Sequence, residues 1–372
     1  MLNRFLIIAC AILNTALVYA QGIDYHATYY VDGAKEKEQF RAHTALESVE
    51  QGGSVVYATN GVDLILTKMR LNKTSGSIID PDRRETGRNS VIIADGGSKV
   101  LLELCDVTAH TTQADGITAI GRETKVTVQE GTITVNRAGG AAVNVVAGGA
   151  VDIKEAKLNT NSWAIGNIDG GTAVFNGSDL KSGGAYGFLL YGPKKNDGNG
   201  TLELNGNMIS VAEGPLFLVT NTSASITVAG NNKISSASDE LMAVKADYWG
   251  QKGANGGNAR LCVRKQTLTG DITVDSISKL ELDLEKGGKL NGGINRKENR
   301  CAQVRVKVGA GAVWTVKGEC FLTSIEFVQP LKKGLKQLKG NHVIYYDPDD
   351  ARNASLDGKE YKTGGGKLCP LR

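Results

Sequence analysis

Short stretches of alternating apolar residues recur along this chain at a nearly constant interval, which restricts its fold more than any other feature. In each stretch two apolar residues flank a single intervening residue, as in Val126-Thr127-Val128. The clearest stretches begin 22 to 29 residues apart, at Lys99, Lys125, Ala150, Thr172, Thr201 and Ser225. Further copies begin at Leu261, Leu280 and Val304. A period of this length is typical of repeat architectures.

Each repeat also has an internal pattern that indicates three short strands. A second apolar residue follows the first after seven positions, as in Val126 and Ile133 or Leu202 and Ile209. Most repeats then contain a third apolar stretch, such as Val143–Val146. Alternate residues of a strand face opposite sides, so three strands bent into a coil would send one set of side chains inward. The 47 glycines fall mainly between the stretches, where tight corners favour them.

These patterns predict one fold class and argue against two others. A β-sandwich also has strands every 8 to 12 residues or so, but it would not repeat the same internal offset of seven. Propeller blades of about 40 residues are much longer than this period. We therefore predict an all-β protein: a right-handed, single-stranded parallel β-helix, a three-faced solenoid of about nine or more coils with N-terminal and C-terminal caps.

The two ends of the chain differ from the repeats. Lys35–Glu50 is rich in Glu, Lys, Ala and Leu, and it is the best candidate for a helix that caps the solenoid. At the other end, Val343–Asp347 and Lys359–Lys362 have the pattern of a terminal hairpin. The predicted segments are a signal peptide at 1–20, an N-terminal cap with irregular first coils at 21–95, the parallel β-helix at 96–330 and a C-terminal β cap at 331–372.

The first twenty residues have the features of a cleavable secretory signal. A short basic start precedes the apolar run Phe5–Leu17, and Val18-Tyr19-Ala20 supplies compact residues for cleavage between Ala20 and Gln21. Lipoprotein processing at Cys10 is an alternative, but the apolar core before Cys10 would be very short. The signal predicts a secreted protein, extracellular or periplasmic. No other apolar run approaches the roughly 20 residues that span a bilayer, so we predict no membrane-spanning segment in the mature chain.

Charge and cysteine content argue against several kinds of partner and cofactor. The chain has 43 Lys and Arg against 39 Asp and Glu, and removal of residues 1–20 takes away only Arg4, so the net charge falls from +4 to +3. A charge this small gives no support for a nucleic-acid partner. The five remaining cysteines have no zinc-type spacing, so we predict no metal site and no other cofactor. Cys301 and Cys320 are the pair that adjacent coils could join as a disulfide.

The repeat region, residues 95–330, resembles the secreted right-handed β-helix proteins of the pectin-lyase-like superfamily. Its later coils are similar to the passenger and adhesin-like β-helices of bacterial autotransporters. This similarity lies in Leu268–Asp275, Leu280–Leu284, Leu290–Asn295 and Ala312–Val316. The resemblance implies a fold, and by analogy a role at a bacterial cell surface, but these motifs are architectural and do not define an activity.

Because many proteins of that superfamily cleave polysaccharides, a polysaccharide lyase or glycoside hydrolase is the alternative hypothesis. The enzyme motifs N-T-D, G-D-D, G-H-G and R-I-K are absent from this sequence. His110 fits a solvated turn, and Asp106 and Asp179 share a repeat position but are several coils apart. Paired carboxylates are what acid–base catalysis or a calcium site would need. The carboxylates of successive coils have differing offsets: Asp106, Asp115, Asp152, Asp169 and Asp179. We therefore predict no catalytic residue and no metal ligand.

Aromatic residues of the solenoid indicate glycan binding instead. The C–H faces of sugar rings stack on aromatic rings. Trp163 and Tyr186 have nearly equal offsets in adjacent coils and would form a two-rung ladder, with Tyr191 as a further candidate. Tyr248 and Trp249 lie in the longest Gly-rich interruption of the repeat, and long loops on a repetitive scaffold often carry function. The leading hypothesis is a secreted or cell-surface, non-enzymatic protein, adhesin-like or glycan-binding, whose partner is a glycan or another cell-surface ligand.

Overall fold

The computed structural model describes residues 25–78, 80, 83–161, 163–193 and 198–371. These residues form a parallel β-solenoid of about 13 turns, with 51% of the chain in strands and 5% in helices. The predicted fold class is therefore confirmed, and the number of coils agrees with nine or more. The signal peptide predicted at residues 1–20 and its cleavage site lie outside the described residues. Within the described part of the chain, no helix has both the length and the apolarity to cross a membrane.

The chain passes in turn through three parallel sheets, which we name A, B and C. Sheet A contains β1 Ala27–Asp32, β4 Ser54–Thr59, β7 Ile92–Ala94, β10 Ile117–Ile120, β13 Ala141–Val146, β16 Ala164–Asp169, β19 Phe188–Tyr191, β22 Phe217–Thr220, β25 Glu240–Val244 and β28 Asp271–Val274. Sheet B contains β2 Glu38–Ala42, β5 Asp63–Thr67, β8 Lys99–Glu103, β11 Lys125–Gln129, β14 Ala150–Lys154, β17 Thr172–Asn176, β20 Asn199–Asn205, β23 Ser223–Ala229, β26 Asn258–Arg264, β29 Lys279–Leu284, β31 Gln303–Val308 and β34 Ser324–Phe327. Sheet C contains β3 Ala45–Ser48, β6 Arg70–Lys73, β9 Asp106–Ala109, β12 Thr132–Val135, β15 Lys157–Thr160, β18 Asp179–Ser182, β21 Met208–Val211 and β24 Lys233–Ser236.

Two smaller sheets complete the C-terminal coils. Sheet D contains β27 Thr267–Thr269, β30 Lys289–Gly292, β32 Val313–Val316 and β35 Leu338–Lys339. Sheet E contains β33 Cys320–Leu322, β36 Val343–Tyr346, β38 Lys367–Pro370 and β37 Tyr361–Lys362. The helices are short: α-helical turns at Arg83–Thr86 and Leu331–Gly334, and 3-10 turns at Leu335–Gln337 and Ala351–Leu356.

Apolar side chains of successive coils form continuous columns inside the solenoid. In sheet B, Val126 is in register with Val151, and through Ala173 the same position continues to Leu202. The full column comprises Leu64, Val100, Val126, Val151, Ala173, Leu202, Ile226, Leu261, Leu282, Val306 and Ile325. All its members are at most 2% exposed. Burial of each large aliphatic side chain contributes about 1.5–3 kcal/mol, so each coil stabilises its neighbours.

The corner between sheets B and C is built the same way in coil after coil. In most coils two residues connect the strands, and the first has a left-handed backbone, with φ of 53° at Lys68 and 55° at Leu104. In three consecutive corners the last residue is buried and polar: Ser178, Asn207 and Asn232. The side-chain oxygen of Asn207 accepts a hydrogen bond from Ser178 N at 2.9 Å, and that of Asn232 accepts one from Asn207 N at 2.8 Å. This amide ladder satisfies backbone N–H groups at the corner.

The helix predicted for Lys35–Glu50 is wrong, because this segment contains strands β2 and β3 of the first coil. Pairing with β5 and β6 supplies backbone hydrogen bonds and a packed face, which a short isolated helix lacks. Polar side chains close this end of the interior instead. The Arg41 guanidinium lies 4.8 Å from the ring centroid of Tyr29, and Tyr29 Oη donates to Gln39 Oε1 at 3.5 Å.

The terminal hairpin predicted from Val343–Asp347 and Lys359–Lys362 is also wrong. Strand β36 pairs in parallel with β33 and β38, and it is β38 that pairs antiparallel with β37. The reason is the apolar pattern of β36: Ile344 and Tyr346 are buried in the interior, so this strand extends the solenoid by a further coil.

Candidate functional site

The middle strands of sheet A differ from those of sheet B because both of their faces are buried. Every residue of β13 and β16 is buried, whereas in β11 and β14 the buried residues alternate with more exposed ones. Since alternate side chains of a strand point to opposite faces, other parts of the chain cover the outer face of sheet A. Two interruptions of the repeat supply this cover: the described residues of segment 74–90, between β6 and β7, and loop 245–257, between β25 and β26.

Segment 74–90 is fixed to the sheet by buried polar contacts. Arg83 and Asp115 form an ion pair at 3.2 Å, and neither side chain is more than 4% exposed. Asn144 Nδ2, on the outer face of β13, donates to Arg84 O at 2.8 Å. Removal of one partner of a buried ion pair leaves an uncompensated charge, so such a pair is costly to break. The segment therefore holds Arg84 in a fixed place over sheet A.

All five aromatic residues predicted as ligand-binding lie together on this face. The ring centroids are 5.8 Å apart for Trp163 and Tyr186, 4.8 Å apart for Tyr191 and Trp249, and 5.8 Å apart for Tyr248 and Trp249. Trp163, Tyr186 and Trp249 pack against an apolar cluster formed by Leu189, Tyr191, Leu218 and Ala243. We call the five aromatic residues together with Arg84 the aromatic patch.

The rings of Trp163 and Tyr186 do not form the parallel ladder expected from their offsets. Their planes meet at 86°, an edge-to-face arrangement that aromatic pairs favour. Trp163 Nε1 donates to Asn167 Oδ1 at 3.1 Å, which fixes the indole on the sheet. Within the patch, Tyr191 is 1% exposed and forms the bottom, whereas Tyr248 is 87% exposed at the rim. The half-buried rings between them provide the accessible aromatic surface.

The Arg84 guanidinium lies between two tryptophans of the patch. It is 4.4 Å from the ring centroid of Trp163 and 6.0 Å from that of Trp249. Among the residues that the structure describes, no carboxylate forms an ion pair with it, and its buried Nε has no hydrogen-bond partner. Burial lowers the pKa of Arg84, and the neighbouring positive charge of Arg83 acts in the same direction. Guanidinium groups stay protonated in proteins, so the patch contains a cation available to an anionic ligand.

Several of the buried polar atoms that lack a partner in the described part of the chain lie beneath this cover. They include Asn144 Oδ1, Asn167 Nδ2, Tyr191 Oη, Thr220 Oγ1 and Asn255 Oδ1. A buried polar atom left without a hydrogen bond costs about 1–3 kcal/mol. Several such atoms on one face therefore indicate a place for water or for a polar ligand. Burial also raises the pKa of Tyr191 well above its ordinary value, so its hydroxyl keeps its proton and can donate.

A groove with two carboxylates and an arginine lies beside the patch. Its volume is about 260 Å³, and Glu85, Arg122 and Asp169 contribute to its walls. Asp169 is 4% exposed. Burial is the main cause of the raised pKa of Tyr191, and the charges of Asp169 and, more weakly, Glu85 act in the same direction, so the groove adjoins the patch. We call this cavity the acid groove.

Other polar residues weighed in the sequence are not brought together. Asp106 and Asp179 occupy one register position of sheet C with two coils between them. Asp106 accepts a hydrogen bond from Thr132 Oγ1 at 2.6 Å, and Asp179 pairs with Lys181 at 3.2 Å. His110 Nδ1 lies 3.1 Å from an amide of the next coil. In the described chain, no three His, Cys, Asp or Glu side chains are grouped to hold a metal ion.

The disulfide predicted between Cys301 and Cys320 is not formed in the structure, where both are free thiols. Cys301 is exposed, on the loop before β31, whereas Cys320 is buried in the interior. Cys320 Sγ accepts a hydrogen bond from Ile294 N at 3.2 Å. The buried thiol is thus part of the packing between coils, and burial raises its pKa to about 12.

Sequence reasoning missed Arg84, Glu85 and Arg122, because it searched for function among the repeats. The first two belong to segment 74–90, which separates β6 from β7 and has no apolar alternation. The length of this segment could have marked it as a candidate for function, because loop 245–257 was chosen as a candidate for being a long interruption of the repeat. Residue types alone did not indicate which of its charged side chains would face the solenoid.

The fold places this chain in the class of parallel β-solenoid proteins. Comparison of its sequence with protein-family models and with curated proteins gave no match. The aromatic patch and the acid groove are therefore the structural features that bear on its function.

Proposed function

We propose that this is a secreted or cell-surface, non-enzymatic β-helix protein that binds glycans through the aromatic patch. The observation that carries the proposal is the combination of half-buried aromatic rings with buried polar atoms that lack partners among the described residues. Rings contact the C–H faces of sugars, and amide and hydroxyl groups bind sugar hydroxyls. Three features of the sequence support an extracellular role: the signal-like N terminus, the resemblance of the repeat region to the secreted β-helix proteins of the pectin-lyase-like superfamily, and the similarity of the later coils to adhesin-like β-helices.

The charge of the patch favours acidic glycans. Arg84 is held between Trp163 and Trp249 without a carboxylate partner in the described chain. A guanidinium binds carboxylate and sulfate groups through parallel hydrogen bonds, and its partial burial strengthens such contacts. An acidic sugar would thus place its ring against an indole and its anionic group on Arg84.

An array of acidic and neutral glycans tests this proposal. We expect binding to acidic members, weakened at least about tenfold in the variants Trp163→Ala and Trp249→Ala, because each removes a stacking face. Phe40→Ala is the matched control: Phe40 is 67% exposed on β2, away from sheet A, and its loss should leave binding unchanged. No binding to any glycan, or equal binding by all four proteins, would sink the proposal.

Arg84→Gln separates charge from stacking. We expect this variant to lose its preference for acidic over neutral glycans, because glutamine keeps hydrogen-bonding capacity without the charge. Arg264→Gln removes an exposed arginine of β26, on sheet B, and should keep the preference. Retention of full acidic selectivity by Arg84→Gln would show that the charge of Arg84 is not used.

A second candidate function, cleavage of a polysaccharide, is favoured by the acid groove. Glu85, Asp169 and Arg122 line one cavity, and paired carboxylates or a carboxylate with an arginine are what hydrolase and lyase chemistry require. The glycan bound at the aromatic patch would extend into this groove. Under this hypothesis one carboxyl group would transfer the proton.

Incubation with the glycans that bind the protein, followed by assay for new reducing ends and for unsaturated products, decides between the two functions. Turnover that is lost in Glu85→Gln and Asp169→Asn, but kept in Glu123→Gln, would establish an enzyme and overturn the non-enzymatic proposal. Glu123 is an exposed glutamate outside the groove. Binding without any product supports the first proposal.

A further inference from the structure

A second groove lies at the C-terminal end of the solenoid, several coils beyond the aromatic patch. Its floor is the outer face of sheet E, where Phe321, Tyr345 and Cys369 occupy one register position in successive strands. Glu298, on the loop before β31, and Glu360, before β37, contribute to its walls. The cavity volume is about 680 Å³, within the range of about 300–1,000 Å³ that is common for ligand sites.

The two aromatic rings of this groove are parallel, unlike those of Trp163 and Tyr186. The centroids of Phe321 and Tyr345 are 5.0 Å apart and their planes meet at 14°. Cys369 occupies the next register position, so the stack of rings ends at Tyr345 while the groove continues along Cys369 and Pro370. Beside the rings, the groove runs over Val343, which is in register with Lys367 and lies next to Tyr345 and Glu319.

The charges along the groove leave one carboxylate unpaired. Arg300 Nε donates to Glu298 Oε1 at 2.8 Å, and Lys367 Nζ lies 2.7 Å from Glu360 Oε1. Glu319 also lines the groove, and within the described chain no basic side chain forms an ion pair with it. Because the basic residues of the groove are neutralised by their partners, the groove has an excess of one negative charge. A cationic ligand would complement it.

We propose that this groove binds an arginine side chain of a polypeptide. The planar guanidinium lies over Val343, packs against the ring of Tyr345 and donates two hydrogen bonds to the carboxylate of Glu319, which precedes β33 beside the rings. The chain itself places guanidinium groups over aromatic rings elsewhere, Arg84 over Trp163 and Arg41 over Tyr29. The length of the groove beyond the rings accommodates the residues that flank the arginine. The ligand differs in charge from the acidic glycan of the aromatic patch, so the two sites would bind independently.

Titration calorimetry of the purified protein with two neutral-ended tripeptides tests this inference. The probes are acetyl-glycyl-arginyl-glycine amide and the same peptide with citrulline, which keeps the shape and loses the charge. We expect the arginine peptide to bind at least about tenfold more tightly. In Glu319→Gln this preference should disappear, and in Tyr345→Leu both peptides should bind more weakly. Glu326→Gln, an exposed glutamate on β34 outside the groove, should behave as the unmodified protein.

Three outcomes would overturn the proposal: no binding of the arginine peptide at millimolar concentration, equal binding of the two peptides, or an unchanged preference in Glu319→Gln. Equal affinity for the corresponding lysine peptide would overturn the stacking geometry, since an ammonium group is not planar. Glu319 is exposed, so its substitution should not affect folding, which circular dichroism verifies. Trp163→Ala should retain arginine binding, which separates this site from the glycan site.

Discussion

Buried polar side chains have two distinct roles in this protein at the scale of single residues. In the corner ladder, Asn207 and Asn232 have backbone partners in adjacent coils, so their burial stabilises the fold. Under the aromatic patch, Tyr191 Oη and Thr220 Oγ1 are equally buried but have no partner in the described chain. Sequence alone does not separate the two roles, because asparagine, threonine and tyrosine are frequent in both settings. The contrast between satisfied and unsatisfied atoms is what identifies the candidate site.

Asn232→Ala should strongly destabilise the solenoid. It leaves Asn207 N without its acceptor and removes the donor to Leu204 O at 3.2 Å. We expect the free energy of unfolding to fall by about 2–4 kcal/mol, measured by chemical denaturation. Asn205→Ala, at an exposed site of the preceding coil, should change it by less than about 0.5 kcal/mol. Equal losses in the two variants would contradict a structural role for the ladder.

Lys73 should make the free energy of unfolding depend on pH in the alkaline range. Its side chain is fully buried, its Nζ donates to Glu50 O, and burial lowers its pKa from the ordinary 10.5 to about 8, with Glu50 acting in the opposite direction. Between these values the unfolded chain binds the proton and the folded chain does not, so the free energy of unfolding rises with pH. Between pH 8 and pH 10.5, we expect the free energy of unfolding to rise by at most about 3 kcal/mol more in the unmodified protein than in Lys73→Met. Parallel pH curves for the two proteins would contradict this assignment.

At the scale of elements, the coils were predictable and the segments between them were not. The offset of seven residues from Val126 to Ile133 fixed the first two strands of a coil, since the apolar period of a strand is two. Segment 74–90 has no such period, and its position depends on one buried ion pair, Arg83 with Asp115. For the same reason the five aromatic residues could be named from their offsets and their loop, while Arg84 could not.

The Arg83–Asp115 pair should control how firmly segment 74–90 lies on sheet A. We expect Arg83→Met to increase amide hydrogen exchange at residues 83–90 by at least about tenfold, because Asp115 is left as an unpaired buried charge. The double variant Arg83→Met/Asp115→Asn should recover much of the protection. In the unmodified protein, Ala141 N donates to Asp115 Oδ1 at 2.8 Å. The amide oxygen introduced by Asp115→Asn can still accept this hydrogen bond. Faster exchange in the double variant than in the single one would contradict this explanation.

At the scale of the whole molecule, the period of the sequence determined the architecture. Each coil packs on its neighbours through the same columns, so nine recognisable repeats were enough to predict a solenoid of nine or more coils, and the structure has about 13 turns. The prediction failed only at the two ends. At both ends the strands still pair, although the composition of the sequence changes. In the first coil, Arg41, Gln39 and Tyr29 take the place of the apolar residues of the columns.

The polar closure of the first coil should keep the molecules apart in solution. Gln39 and Arg41 are in register with the buried residues Leu64 and Leu66. The double variant Gln39→Leu/Arg41→Leu therefore presents an apolar end with open strand edges, and we expect it to associate end to end. Sedimentation velocity should show dimers or larger species that are absent with the unmodified protein and with Arg264→Leu. A variant that sediments like the unmodified protein would contradict this role for the polar end.

Differences in segment length fall at the two borders of sheet A, whereas the corner between sheets B and C stays nearly constant. Segment 74–90 ends where a strand of sheet A begins, and loop 245–257 begins where one ends. Insertions at these borders leave the register of the columns unchanged. A chain of this design can thus diversify what it recognises by exchanging whole loops, without loss of stability in the framework that carries them.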